Sequence, residues 1–253
     1  MKHIIFVCLI LLSIPVTSHA KKNTCDQFKK PPEYITAVLI DVSEPLDQPA
    51  QMIFKKLAQK IITESPSASR LDIYKIGNGA KDGFQPELSL CKPEKFGNWF
   101  TTGEKFYKKK MQNEFIGPAL KELVDLSNEP FPGQRSPILE SFFSISLKSF
   151  IDASGQENLG KVIVISDFMQ HSELLSFYKQ NIPMYKDFKV GSNGRSWVRN
   201  FGRVSFEAVV IPRNGASKLP VKGRDFFIDY FSDNFSCWQW RDLSSSIPLG
   251  KCK

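Results

Sequence analysis

Two carboxylates stand where apolar runs of strand length end. One run is Tyr34-Ile35-Thr36-Ala37-Val38-Leu39-Ile40-Asp41-Val42-Ser43, and the other is Lys161-Val162-Ile163-Val164-Ile165-Ser166-Asp167. Both are unbroken and rich in β-branched residues, the pattern of a central parallel strand with helices on both faces. Ligands of such sheets bind just beyond the carboxyl ends of the strands. If the two strands are neighbours, Asp41, Ser43 and Asp167 converge on one crevice. They offer it the hard oxygen ligands that a magnesium-class cation prefers.

This constellation resembles the von Willebrand factor A family, whose metal-dependent adhesion site has an Asp-x-Ser-x-Ser turn after the first strand, a Thr from a later loop and an Asp after the fourth strand. Asp41 and Ser43 match the first two positions of the turn, while Pro45 stands at its second hydroxyl, so the turn is degenerate. Ser136, in Arg135-Ser136-Pro137, is the candidate for the Thr position. Asp167 is the candidate for the late Asp, followed by Phe168 where the family more often has Gly. The resemblance runs in order of elements from Tyr34 to Phe235. It implies an α/β fold with a doubly wound, mostly parallel sheet flanked by helices. It also implies Mg2+ or Mn2+ held by Asp41, Ser43, Ser136 and Asp167, with an open position completed by a carboxylate from a partner protein. Such a chain is a binding module for protein-protein interaction or adhesion and not an enzyme.

Each of these residues also has a plainer reading. Asp41, Ser43, Ser166 and Asp167 are short polar side chains of the kind that hydrogen-bond loop amides after a strand. Ser136 directly precedes Pro137, where a helix N-cap belongs. Glu44 is a substitute ligand for the missing hydroxyl, although the ring of Pro45 directs its side chain outward. His171 either rims the site or is a surface residue.

The elements that must position these groups follow from periodicity. Pro49 suits a first helical position, and Ile53, Leu57 and Ile61 predict an amphipathic helix stopping near Ser65-Pro66. Arg70 to Ile76 reads as a strand and Glu87 to Cys91 as a short edge strand. Tyr107, Met111 and Phe115 form a helical stripe, which Gly117-Pro118 is expected to break before a second helix, Ala119 to Leu126. Pro137 to Ile151 reads as a helix, Glu173 to Tyr178 as a short helical stretch, and Asn181 to Arg203 as irregular. Val204 to Ile211 is a strand, and Phe227, Phe231 and Phe235 line a terminal helix. Everything after Cys237 reads as a tail or short strand. Alternating strands and helices are the signature of an open doubly wound sheet.

Lys2 and His3, the apolar stretch Ile4 to Ile14 and the small-residue site Ser18-His19-Ala20 read as a secretory signal peptide over residues 1–20. That stretch is short for a membrane anchor, and no second long apolar run follows. Residues 21–253 are then one secreted or periplasmic α/β domain with a disulfide-tethered C-terminal tail. Cys25, Cys91, Cys237 and Cys252 are an even set in an oxidising compartment. Of three connectivities, Cys25 with Cys91 and Cys237 with Cys252 is favoured, the second pair tying down the tail. The alternative is that some stay reduced and pack. The cysteines are not spaced as zinc ligands.

The formal charge is +8, which favours anionic surfaces. Lys105, Lys108, Lys109 and Lys110 beside Phe106, and Arg195, Arg199 and Arg203 around Trp197 and Phe201, support a polyanion-binding alternative, nucleic acid or anionic surface, against the plainer reading of a solvated face. The sequence has no Gly-x-Ser-x-Gly elbow and no phosphate-binding loop ending in Lys-Ser or Lys-Thr. The remaining enzymatic alternative is a metal-dependent phosphoesterase or nuclease using Asp41 and Asp167.

Overall fold

A computed structural model describes residues 25, 32–43, 45–77, 85–94, 103–129, 135–152, 154–211, 218–243 and 249–252. The leader at 1–20, Glu44 and the Trp99 loop lie outside them. The apolar runs form β1 (Tyr34–Asp41) and β4 (Leu159–Ser166), which pair directly and in parallel with Ile40 opposite Ile165. Around them stand β2 (Ser69–Ile76), β3 (Leu88–Cys91), β5 (Phe201–Val210), β6 (Phe235–Asp242) and β7 (Leu249–Cys252), in one sheet of order β3-β2-β1-β4-β5-β6-β7. Among the described strands, only the edge pairings, β2 with β3 and β6 with β7, are antiparallel. The order from β3 to β6 is that of a doubly wound sheet, and an antiparallel edge strand is common on such folds.

Period two along the strands builds two cores. Val38, Ile40, Ile73, Ile163 and Ile165 pack under α1 (Gln48–Glu64) and α3 (Gly117–Asn128). Ala37, Leu39, Val162, Val164 and Phe206 pack under α4 (Ile138–Phe150), α5 (Tyr185–Val190) and α6 (Val221–Asn234). This second core is aromatic, with Phe206 stacked on Phe231 at 4.0 Å and Phe142 edge-on to Tyr230 at 5.2 Å. Each such buried side chain stabilises the fold by roughly 1.5–3 kcal/mol. Gly160 lets β4 and α4 approach closely, because a Cβ there would collide with Ile35 O and the Phe150 ring.

Four expectations are corrected. Gly117-Pro118 does not break the helix: α2 (Glu104–Met111) continues through a π-helical turn, Gln112–Ile116, into α3. The Gly117 amide donates to Gln112 O, five residues back, and a Cβ at Gly117 would lie 2.8 Å from that oxygen. Pro118 has no N–H to give to this continuous helix, and its missing bond falls at the π-helical turn, which already departs from the i−4 ladder. Glu173 to Tyr178 is not helical but a turn closed by a bridge between His171 and Ser176. Asn181 to Arg203 contains α5 and a 3-10 turn, Arg195–Trp197, before β5 begins. Phe235 does not line α6 but opens β6, and of the tail or short strand expected after Cys237 the described residues form strand, the end of β6 and β7.

The disulfides are Cys25–Cys91 and Cys237–Cys252, with Cα separations of 4.9 and 4.0 Å. The first fastens the chain ahead of β1 to the edge strand β3, and the second bridges β6 to β7. No helix among the described residues is long and apolar enough to cross a membrane.

Candidate functional site

At the carboxyl ends of β1 and β4 one carboxylate gathers groups from three segments. Asp41, 3 % exposed, is the last residue of β1 and shares the face of Leu39 that looks toward α4. Its Oδ2 accepts from the Ser136 hydroxyl at 2.8 Å and from the Ser166 hydroxyl at 2.7 Å. Its Oδ1 accepts from the Ser43 amide at 3.0 Å. Ser166 in turn accepts from the Phe168 amide at 2.8 Å, so its proton is directed at Asp41. Charge-assisted bonds of this kind are about twice as strong as neutral ones.

The structure thus brings Asp41, Ser43 and Ser136 together, with the side chain of β4 that bonds Asp41 being Ser166. Asp167, the next residue, is buried, and its Oδ1 accepts from the Met169 amide at 2.9 Å. The parallel register explains this. With Ile40 opposite Ile165, the next pair along is Asp41 and Ser166, on one face of the sheet. Counting forward from that pair is the signal by which sequence reasoning reaches Ser166.

Ser136 is not the N-cap of α4. Its hydroxyl is committed to Asp41, and Pro137 occupies the cap position without a side-chain bond. The orphan Leu139 amide is satisfied instead by Gln170 Oε1 at 2.8 Å. Gln170 is fully buried, and its Nε2 donates to Glu140 at 2.9 Å and Ser172 at 3.0 Å. It locks the loop after β4 to the start of α4, a role the sequence does not signal. His171 pairs its backbone with Ser136 through bonds of 2.9 and 2.8 Å, and its Nδ1 contacts Ser176 Oγ at 2.9 Å. His171 therefore holds the Ser136 segment in place.

The loop carries backbone strain. Phe168 has φ +60, the left-handed region that bulky residues avoid. Its ring is fully buried against Phe227 at 5.3 Å and Trp240 at 4.7 Å, which holds the strained backbone in place. On the α1 side, Asp47 caps α1 by accepting from the Ala50 amide at 2.8 Å, and Pro45 is exposed. A cavity of about 10 Å3 touches Asp41, Ser166, Phe54 and Ser127, the size of about one water.

The groups gathered at the node are therefore one buried carboxylate, the hydroxyls of Ser136 and Ser166 and the Ser43 amide, with Asp167 next in sequence to Ser166 and bonded to the Met169 amide. Their side-chain oxygens are hard, suited to Mg2+ or Mn2+ rather than to zinc. No cluster of three or more His, Cys, Asp or Glu suited to a metal occurs among the described residues, so any cation here relies on hydroxyls and water. Arg195, Arg199 and Arg203 are exposed, while the aromatics between them are anchored in the core. Phe201 is fully buried, Trp197 packs on Phe143 at 5.4 Å, and Arg203 bonds Glu157 O at 2.8 Å.

No family model and no curated protein matches the chain. Among solved structures, the crystal structure of an aerotolerance-related membrane protein from Bacteroides fragilis, carrying multiple mutations to serines, is similar at 10% identity with a TM-score of 0.38. The match covers 83% of this chain and 91% of that one, and the similarity is too low to bear on fold or function.

Proposed function

We propose that this chain is an exported von Willebrand factor A-like binding module. It engages a protein partner at the carboxyl ends of β1 and β4 through a divalent cation. The observation that carries the reading is the Asp41 carboxylate, buried at the strand end and held by hydroxyls from Ser136 and Ser166. A carboxylate at a buried strand end is a costly way to stabilise a sheet unless it is paired. Positive φ at Phe168 also fits the resemblance, since it is the conformation a glycine adopts freely and the family more often has Gly there.

In this reading Asp41, Ser43 and Ser136 hold Mg2+ or Mn2+, Asp167 and Ser166 complete the crevice, and a partner's carboxylate occupies the open position. Two disulfides and the apolar leader favour a secreted or periplasmic location. The test is affinity capture on wild-type and Asp41→Ala protein, with magnesium and with EDTA. A partner retained by wild type in magnesium and lost in the other arms supports the module. Retention that ignores both the substitution and the chelator removes the site from the account. A phosphodiester hydrolysis assay on the same proteins separates the phosphoesterase alternative, which requires turnover lost with Asp41 or Asp167.

A further inference from the structure

A second concave site lies away from the strand ends. α5 and α6 both pack on the face opposite α1. Over β5 and β6, therefore, no helix among the described residues lies on the α1 side. That side of the sheet is polar where a helix would require apolar residues. Lys161, Glu207 and Arg241 form the floor of a groove of about 350 Å3, and α1 supplies a mixed wall in which Leu57 and Ile61, each 8% exposed, lie between the exposed Lys60 and Glu64. Glu207 is only 5 % exposed and is ion-paired to Lys161 and, at 2.6 Å, to Arg241 Nη2.

Two cations share one carboxylate, so this floor carries a net charge of +1. The Lys161 and Arg241 side chains keep 33% and 31% of their surface exposed. A guanidinium has five N–H donors in a fixed fork, and the Glu207 contact leaves others for a bidentate partner. Burial raises the Tyr34 phenol above its ordinary range, against a hydrogen bond with Ser205 that lowers it, so Tyr34 lines the groove as a neutral hydroxyl. A purely structural ion triad would need no open volume beside it. This volume lies within the range of small-molecule sites.

We propose that this groove binds a small organic acid, its carboxylate on Arg241 and Lys161 and its apolar body against Leu57 and Ile61. Glu207 holds the two cations apart and in place, and it competes with the ligand for them. The site shares no residue with the Asp41 crevice.

The probe is hexanoate, followed by amide chemical shifts, with hexylammonium as a control of equal apolar length and opposite charge. Hexanoate should produce saturable shifts at Thr36, Lys161 and Glu207, and hexylammonium should bind at least tenfold more weakly. Arg241→Gln, which leaves Glu207 paired to Lys161, should weaken hexanoate at least tenfold. Lys161→Gln is the second variant should the first not fold, with the same expectation. Glu207→Gln should tighten hexanoate by removing its competitor, and Asp41→Ala should leave it unchanged. No saturable shift, equal binding of the ammonium, unchanged affinity in a folded Arg241 or Lys161 variant, or weaker binding in Glu207→Gln would each overturn the proposal.

Discussion

Ser136 separates two accounts of the same residue, and a double-mutant cycle with Asp41 measures the difference. If Ser136 only capped α4, Ser136→Ala would cost about 1 kcal/mol whatever stood at position 41. Its hydroxyl instead donates 2.8 Å to a carboxylate, with Ser136 5 % and Asp41 3 % exposed. A hydrogen bond to a charged group in such a setting contributes about 1.5–3 kcal/mol. In the Asp41→Ala background the hydroxyl has lost its acceptor, so its removal should cost little or nothing. The coupling energy between the two substitutions should therefore be about 1 kcal/mol or more. Urea unfolding with disulfides intact and EDTA present gives the four stabilities, provided that the slope of the transition is the same in all variants. Coupling below about 0.3 kcal/mol, the usual additivity error, would refute the hydroxyl–carboxylate node.

Three further outcomes are expected. Gly160→Ala should destabilise by about 1–3 kcal/mol in the same unfolding assay, since its Cβ meets Ile35 O and the Phe150 ring; a neutral effect would show that β4 is not closely packed against β1 and α4 there. Non-reducing peptide mapping of the chain after leader cleavage, which removes Cys8, should find Cys25–Cys91 and Cys237–Cys252 with no free thiol, and replacing both Cys237 and Cys252 by Ser should cost about 3 kcal/mol for a loop of this length. Burial raises the Asp233 carboxyl, but hydrogen bonds from Lys189 and Tyr185, each 2.6 Å, outweigh it and hold the group below its usual range. A depressed folded-state value stabilises above the unfolded carboxylate range and is lost as pH falls through the folded value. Asp233→Asn should therefore melt lower than wild type at pH 7, with the gap closing below about pH 4; a gap that persists in acid would contradict this.

The sheet centre was legible in the sequence because β1 and β4 are continuous apolar runs with few alternative packings. The disulfide pairing was legible as one of three connectivities, and the structure realises it. Element boundaries failed where local rules were overridden. Gly117-Pro118 reads as a breaker, yet a π-helical turn widens the helix at that point. α5 has six residues, too few for periodicity to register, and is held by Tyr185 and Phe188 packing edge-on to Phe226 at 5.7 and 5.2 Å. At Asn234 the helical stripe of Phe227 and Phe231 passes into β6 with no intervening Gly or Pro, so Phe235 counted as helix from sequence.

The site was half legible. Residue type marked Asp41, Ser43, Ser136 and Asp167, but the partner of Asp41 on β4 is fixed by register, a tertiary property that places Ser166 there. Gln170 was invisible for the same reason: an amide that caps a helix 31 residues away in sequence leaves no local pattern.

The central claim is that the Asp41 node is a cation site, and magnesium or manganese titration monitored by thermal melting tests it most directly. A cation that binds the folded chain and not the unfolded one raises the melting temperature in a saturable way. Wild type should show that rise weakly, since Pro45 stands where a second turn hydroxyl would be. Asp41→Ala and Asp167→Asn should abolish it while remaining folded, and Pro45→Ser should enlarge it. If saturating cation moves neither wild type nor Pro45→Ser, or moves Asp41→Ala as far as wild type, the node is a structural hydrogen-bond cluster and the cation-dependent module is wrong.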